Sequence, residues 1–161
     1  MSSHEISIID HEIKEYTHNI YTVTFHDYSI QTMVTHSHSI ATDWLTSCSS
    51  ELRDVGSSRN SGLHIIGLDI GWFPNLHDQD NPVALLQIAV GMRCLIFLFQ
   101  HELGIPQSLI DFLGNCSYVF VGVGIHDNVQ KLVNHHGLNV TNVKDLHDWA
   151  EGCDRAEGPL S

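Results

Sequence analysis

Residues 63–72 read LHIIGLDIGW, an apolar run too short for a helix and rich in isoleucine. It predicts a central strand, and the elements on either side fit around it. Downstream, NLHDQDNP (75–82) reads as a turn, and VALLQIAVGMRCLIFLFQ (83–100) as two strands joined at Gly91-Met92. Pro106 opens a helix carrying Leu109, Ile110 and Leu113 at helical spacing. YVFVGVGI (118–125) predicts another buried strand. Asp127 is expected to cap the helix NVQKLVNHHG, which stops at Gly137, a residue suited to a left-handed C′ position. A short strand over 138–143 and a helix from Lys144 follow.

Upstream, NIYTVTFHDYSIQTMVT (19–35) alternates apolar or β-branched residues about His26-Asp27, the mark of a hairpin. Tyr21, Val23 and Phe25 share a face with Ile30, Thr32 and Val34 after the turn. Ser39 is placed to cap a helix from Ile40, with Trp44, Leu45 and Leu52 as its apolar stripe. GSSRNSG (56–62) reads as a mobile loop. Residues 1–16 are polar and read as a flexible, irregular lead-in; 152–161 read as an irregular tail, leaving one domain over 17–151. Three antiparallel strands followed by alternating strands and helices predict an α/β fold, a mixed sheet flanked by helices.

Composition narrows the function. In 161 residues, seven Lys and Arg face nineteen Asp and Glu, a formal charge of −12. Affinity for nucleic acid rests largely on cations that neutralise phosphates, so a surface of this sign repels a polyanion unless metal ions or a basic strip intervene. Thirteen histidines soften this only in mild acid. No eighteen-residue apolar run predicts a membrane span, and the charged N-terminus does not read as a secretory signal. Cys48, Cys94, Cys116 and Cys153 form no CxxC pair, and Cys94 and Cys116 read as small buried hydrophobes. A reduced intracellular setting, nucleus or cytoplasm, is the expectation.

Two segments carry chemistry. GLDIGWFP (67–74) resembles the first motif of the DEDD 3′–5′ exonucleases, which in the Werner-syndrome-like branch reads roughly G-L-D-x-E-W-x-P. FVGVGIHDNVQKL (120–132) resembles the second motif, a strand running into a helix that bears one Asp. Between them, 81–97 is similar to the family's central hairpin and IPQSLIDFL (105–113) to its next helix. The resemblance is to the plant-type members and holds in register from about Tyr21 to about Ala150. It implies a ribonuclease-H-like fold, incomplete here at the C-terminus, and nucleic acid as the substrate. It also implies a pair of Mg²⁺ or Mn²⁺ ions held by four carboxylates during phosphodiester hydrolysis. Two of those carboxylates sit two residues apart on the first strand, which puts both on one face of the sheet.

This sequence departs from that pattern. Asp69 fills the first position, and Gly71 stands where the Glu belongs. Asn128 stands at the second-motif Asp, offering an amide oxygen without negative charge; Asp127, one residue earlier, is the substitute metal ligand if the strand–helix junction turns it inward. The third motif is expected to be absent, because the chain stops at Ser161 before that helix would begin. So few carboxylates hold two dications poorly, and weak or absent activity is the expectation. Its alternative is a catalytically dead module working through a protein partner or as a homo-oligomer; a truncated gene product with no settled function is the third reading.

Each residue also has a plainer reading. Asp69 on a buried strand is a weak metal ligand or a leftover that accepts backbone hydrogen bonds. Trp72 stacks on a terminal base or serves as a packed or edge aromatic. His36-x-His38 and His135-His136 lack a zinc-finger partner set and read as solvated turn histidines. Lys131, where the family keeps a Lys, reads as an ordinary exposed helical side chain. GVG (122–124) lacks the rest of a phosphate loop, and no nucleophile elbow supports serine catalysis.

Overall fold

The computed structural model describes residues 5–56, 62–73 and 81–156. Eight strands form one sheet: β1 (Ile6–Asp10), β2 (His18–Phe25), β3 (Tyr28–Thr35), β4 (His64–Gly71), β5 (Leu85–Val90), β6 (Arg93–Leu98), β7 (Tyr118–Gly122) and β8 (Val143–Asp145). Their order across the sheet is β1-β2-β3-β6-β5-β4-β7-β8. The pairs β3/β6, β4/β7 and β7/β8 are parallel and the other four antiparallel, which makes the sheet mixed. Helices α1 (His38–Gly56), α2 (Gln107–Leu113), α3 (Ile125–His136) and α4 (Leu146–Ala156) complete the chain.

Alternation along the strands sorts side chains onto two unlike faces. On one, Leu68, Ile88, Leu95 and Met33 form a cross-strand row, with Ile70, Leu86, Phe97 and Thr35 beside it. These pack with Trp44, Leu45 and Cys48 of α1, Leu109, Phe112 and Leu113 of α2, and Ile125 and Leu132 of α3. Burying a side chain of this size is worth about 1.5–3 kcal/mol, so this layer is the core. Arg93 adds a tie to α1, donating to Glu51 at 2.8 Å and to Ser47 at 3.2 Å, with its guanidinium 5.3 Å over the Trp44 ring. Burial pushes the Cys48 thiol up to about 11, which makes it an inert core residue. The opposite face carries the rows Gly67–Ala89–Cys94–Thr32 and Asp69–Gln87–Ile96–Val34. Asp69 and Ala89 there are exposed, and no helix side chain of the core cluster lies on it.

Both hairpins fall where the pattern puts them. Phe25 pairs with Tyr28 around His26 (φ 52°), and Val90 with Arg93 around Gly91 (φ 56°). Several expectations need correction. Residues 1–16 are not irregular throughout: β1 pairs along β2 from Ile6↔Phe25 to Asp10↔Tyr21, because the outer edge of β2 would otherwise leave its backbone groups unpaired. The tail is not irregular from 152, since α4 runs to Ala156; residues 157–161, the loop at 57–61 and the turn at 75–80 lie outside the described residues. Helix α1 starts two residues early, and its N-terminal cap is Ser37, whose hydroxyl accepts from the Ile40 N–H at 3.4 Å. The strand expected over 138–143 forms only at Val143–Asp145. Leu138 instead closes α3, its N–H donating to Leu132 O while Gly137 (φ 65°) donates to Val133 O.

Gly122 marks the tightest point in the sheet. A Cβ there would lie 2.5 Å from Leu68 O, a clash with backbone that no rotamer relieves. Gly122→Ala is expected to lose about 1–3 kcal/mol of unfolding free energy, read as a lower urea midpoint with unchanged slope.

Candidate functional site

The residues singled out from the two motifs meet where β4 runs past the end of β7. There the chain turns at Gly122–Gly124 and enters α3, which crosses back beside the end of β4. Gly124 takes a left-handed conformation (φ 62°) and offers no side-chain cap. Asp127 is therefore not the cap; it is the third residue of the helix and exposed. The capping carboxylate is Asp145, at the end of β8. Its Oδ2 accepts from the Ile125 N–H at 3.2 Å, and its Oδ1 accepts from the His147 N–H at 3.0 Å at the start of α4. One carboxylate thus serves two helix N-termini. The N–H of His147 first, then those of Ile125 and Gly124, hold the carboxyl below its ordinary value against the opposing effect of burial. Sequence reasoning missed Asp145 because a cap twenty residues away leaves no local signature.

Asp69 lies on the open face of β4 and is exposed, so it pays little for desolvation, contrary to the reading of a carboxylate on a buried strand. Its Oδ1 accepts from the Ile70 N–H at 2.9 Å and from Asn128 Nδ2 at 3.2 Å. Asn128, not Asp127, is thus the α3 residue that reaches Asp69. One helical turn on, Lys131 Nζ sits 4.7 Å over the ring of Trp72, which is 48% exposed at the edge rather than packed. Lys131 therefore has a partner that its place on an exposed helix did not announce.

Gly71 is opposed by Leu85 across the β4/β5 ladder. A Cβ on Gly71 would lie 3.0 Å from both Cγ and Cδ1 of Leu85 and 3.3 Å from Cδ2. A side chain at 71 would thus require Leu85 to shift by a few tenths of an ångström. Among the described residues, no three His, Cys, Asp or Glu side chains converge in a way that could hold a metal ion. The donor set here, one carboxylate and one amide nitrogen turned toward it, does not fit a two-dication centre.

A groove of about 280 Å³ runs over the open face beside Asp69, floored by Gly67, Ala89 and Cys94 and walled by Gln87, Val121 and Val123. A larger cavity of about 500 Å³ lies further along α3, with Phe73, Val83, Phe99 and Ile105 among its lining. His135 and His136 face it, and they are not solvated turn residues. His135 Nδ1 accepts from the Val83 N–H at 3.1 Å, and His136 Nε2 donates to Val83 O at 2.7 Å while its ring stacks on Phe99 at 3.8 Å. Burial, foremost, holds His136 below its usual value, with His135 and His101 pushing the same way against the bond to Val83. His38 is anchored too, its Nε2 3.2 Å from Gly104 O. Cys116 is exposed rather than buried, and Cys94 half-buried.

Comparison with known proteins agrees with this fold. The chain is 36% identical over 92 residues to a 3′–5′ exonuclease of Arabidopsis thaliana, covering 56% of this chain and 32% of that protein. It is 33% identical over 87 residues to human exonuclease 3′–5′ domain-containing protein 2, covering 51% of this chain and 14% of that one. The fold superimposes on the crystal structure of the EXD2 exonuclease domain with a TM-score of 0.68 and 25% identity, over 81% of this chain and 64% of that one. The chain resembles the DEDD 3′–5′ exonuclease family in sequence and in fold. The sheet is that family's ribonuclease-H-like one. No family model matches the chain. The chain spans about a third or less of the length of these curated relatives. Crystals of the EXD2 domain were soaked in Mg, and in Mn with GMP.

The double cap makes stability pH-dependent in a defined direction. Because Asp145 is held below its ordinary value of 3.8, its contribution is complete above that value and fades as pH falls through the lowered one. Asp145→Asn is expected to flatten the wild-type fall in melting temperature in the acid range below 3.8, seen as a shrinking difference between the two curves.

Proposed function

We propose that this chain is an exonuclease-fold domain of the Werner-like branch whose own hydrolytic activity on nucleic-acid 3′ ends is weak or absent. The observation that carries the reading is the Leu85 side chain over Gly71, with the Asn128 amide donating to Asp69. A two-metal phosphodiester hydrolysis needs anionic oxygen on both ions, and one carboxylate with an amide hydrogen aimed at it supplies too little. The charge of −12 acts in the same direction, weakening any hold on a polyanion without bound dications. Nucleic acid remains the family's substrate, and Trp72 is the aromatic on which a terminal base would stack. The free thiols of Cys48, Cys94 and Cys116 support an intracellular setting, nucleus or cytoplasm.

A second reading has its own support. The open sheet face with Ala89, Ile65 and Val123 exposed, and α4 with Leu146 and Trp149 exposed, are apolar surfaces of the kind that protein contacts cover. On this reading the domain works through a protein partner or another copy, and its fold outlives its chemistry.

Incubation of the purified protein with a 3′-labelled single strand in Mg²⁺ or Mn²⁺ is expected to give no shortening beyond that of Asp69→Ala. Wild-type shortening well above that variant would refute the reading. Gly71→Glu with Asn128→Asp is expected to leave the strand intact as well, because three carboxylates still fall short of the four that the resemblance implies for a two-metal centre.

A further inference from the structure

We infer that the residues at the former ligand positions now form a cation-independent tie that fastens α3 to the end of β4. This rests on the reading of a site that does without its metals, and goes beyond it by giving the remaining residues a job. The tie has two rungs. Asp69 Oδ1 takes the Asn128 amide hydrogen at 3.2 Å, and the Trp72 ring takes the Lys131 ammonium at 4.7 Å. Asp69 lies on β4 and Trp72 just past its end, three residues on, while 128 and 131 are three apart on α3. That is one helical turn, so a single α3 face presents both donors to β4.

The chemistry of the first rung is what changes. Two carboxylates at this separation repel, and need a cation between them to stay in place. An amide facing a carboxylate needs none, because its N–H supplies the positive end of the contact and the ion strengthens it. Lys131 brings a fixed positive charge one turn away, so the cleft carries one anion and one cation of its own. Leu85 lies against the Cβ position of Gly71, so apolar volume stands beside the place of a second metal-binding side chain. Elsewhere α3 is held by Ile125 and Leu132 in the core, by Asp145 at its start, and by Val83 at its end. The tie pins the exposed middle, between those anchors.

Thermal unfolding with EDTA or with excess Mn²⁺ separates the possibilities. The wild-type melting temperature is expected to be the same in both. Asn128→Ala is expected to lower it by about 2–4 °C in both, the size of one charge-assisted hydrogen bond in a domain of this length. Asn128→Asp is expected to melt lower than wild type in EDTA and to recover in Mn²⁺, since it places two carboxylates face to face. A wild-type melting temperature that rises with Mn²⁺ would overturn the inference, as would an Asn128→Ala variant that melts like wild type or an Asn128→Asp variant indifferent to Mn²⁺. The strand-shortening assay answers the other question separately: a protein that degrades the strand sinks the inactive-domain reading, whereas a metal-indifferent Asn128→Asp sinks only the tie.

Discussion

A strand can bury only every second side chain, and β4 lies between β5 and β7 near the middle of the functional half of the sheet. Ile66, Leu68 and Ile70 go to the core, which commits Gly67, Asp69 and Gly71 to the other face. The register of β5 is then fixed by Leu86 and Ile88, both fully buried, and this brings Leu85 opposite Gly71 and Gln87 opposite Asp69. A slip of one residue would turn the core side chains outward. The composition of the site is therefore a consequence of core packing, with no freedom left to swing the open face toward a better set of ligands. The same constraint reaches α3: Gly122 passes against Leu68 O, and Asp145 receives the first N–H of the helix, so the height at which Asn128 meets Asp69 is set by the sheet.

Much of this was legible from residue pattern. Period-two alternation located β2 and β3 about His26-Asp27, and the apolar runs on either side of the Gly91-Met92 turn located β5 and β6. Gly137 marked the end of α3 for the same reason. What failed was long-range. Nothing local in ISIID, flanked by Glu5 and Glu12, says that β2 has an edge to offer it. Nothing local links Asp145 to Ile125, or His135 and His136 to Val83. At the site, the sequence named Asp69, Gly71 and Asn128 through the resemblance, but it had no means to say that Leu85 stands over Gly71. Nor could it say that Asn128 points its nitrogen at Asp69. Those facts depend on strand register and on one side-chain orientation.

The electrostatics favour the arrangement as it stands. Two unit charges about 4 Å apart interact by ~1 kcal/mol in water and ~4 kcal/mol in surroundings typical of a protein surface. A pair of facing carboxylates on an already acidic chain would carry a cost in that range whenever metal was scarce. Replacing one by an amide turns the repulsion into an exposed hydrogen bond worth about 1 kcal/mol. The exchange removes a liability only if no reaction depends on the lost charge. An Asn at this position therefore sits comfortably with a domain released from hydrolysis and poorly with one still performing it.

Gly71 and Leu85 sharpen that point, because they are not independent. A glutamate at position 71 and a leucine at 85 compete for the same space across one antiparallel pair, where a Cβ already comes within 3.0 Å of the leucine. A glutamate at 71 is therefore accommodated only if the leucine shifts by a few tenths of an ångström. With glycine at 71, the Leu85 side chain lies over that position and no carboxylate does. A bare loss of the ligand would leave a cleft that one substitution refills. The site observed holds one carboxylate with an amide turned toward it, and a carboxylate at 71 would need Leu85 to move slightly aside.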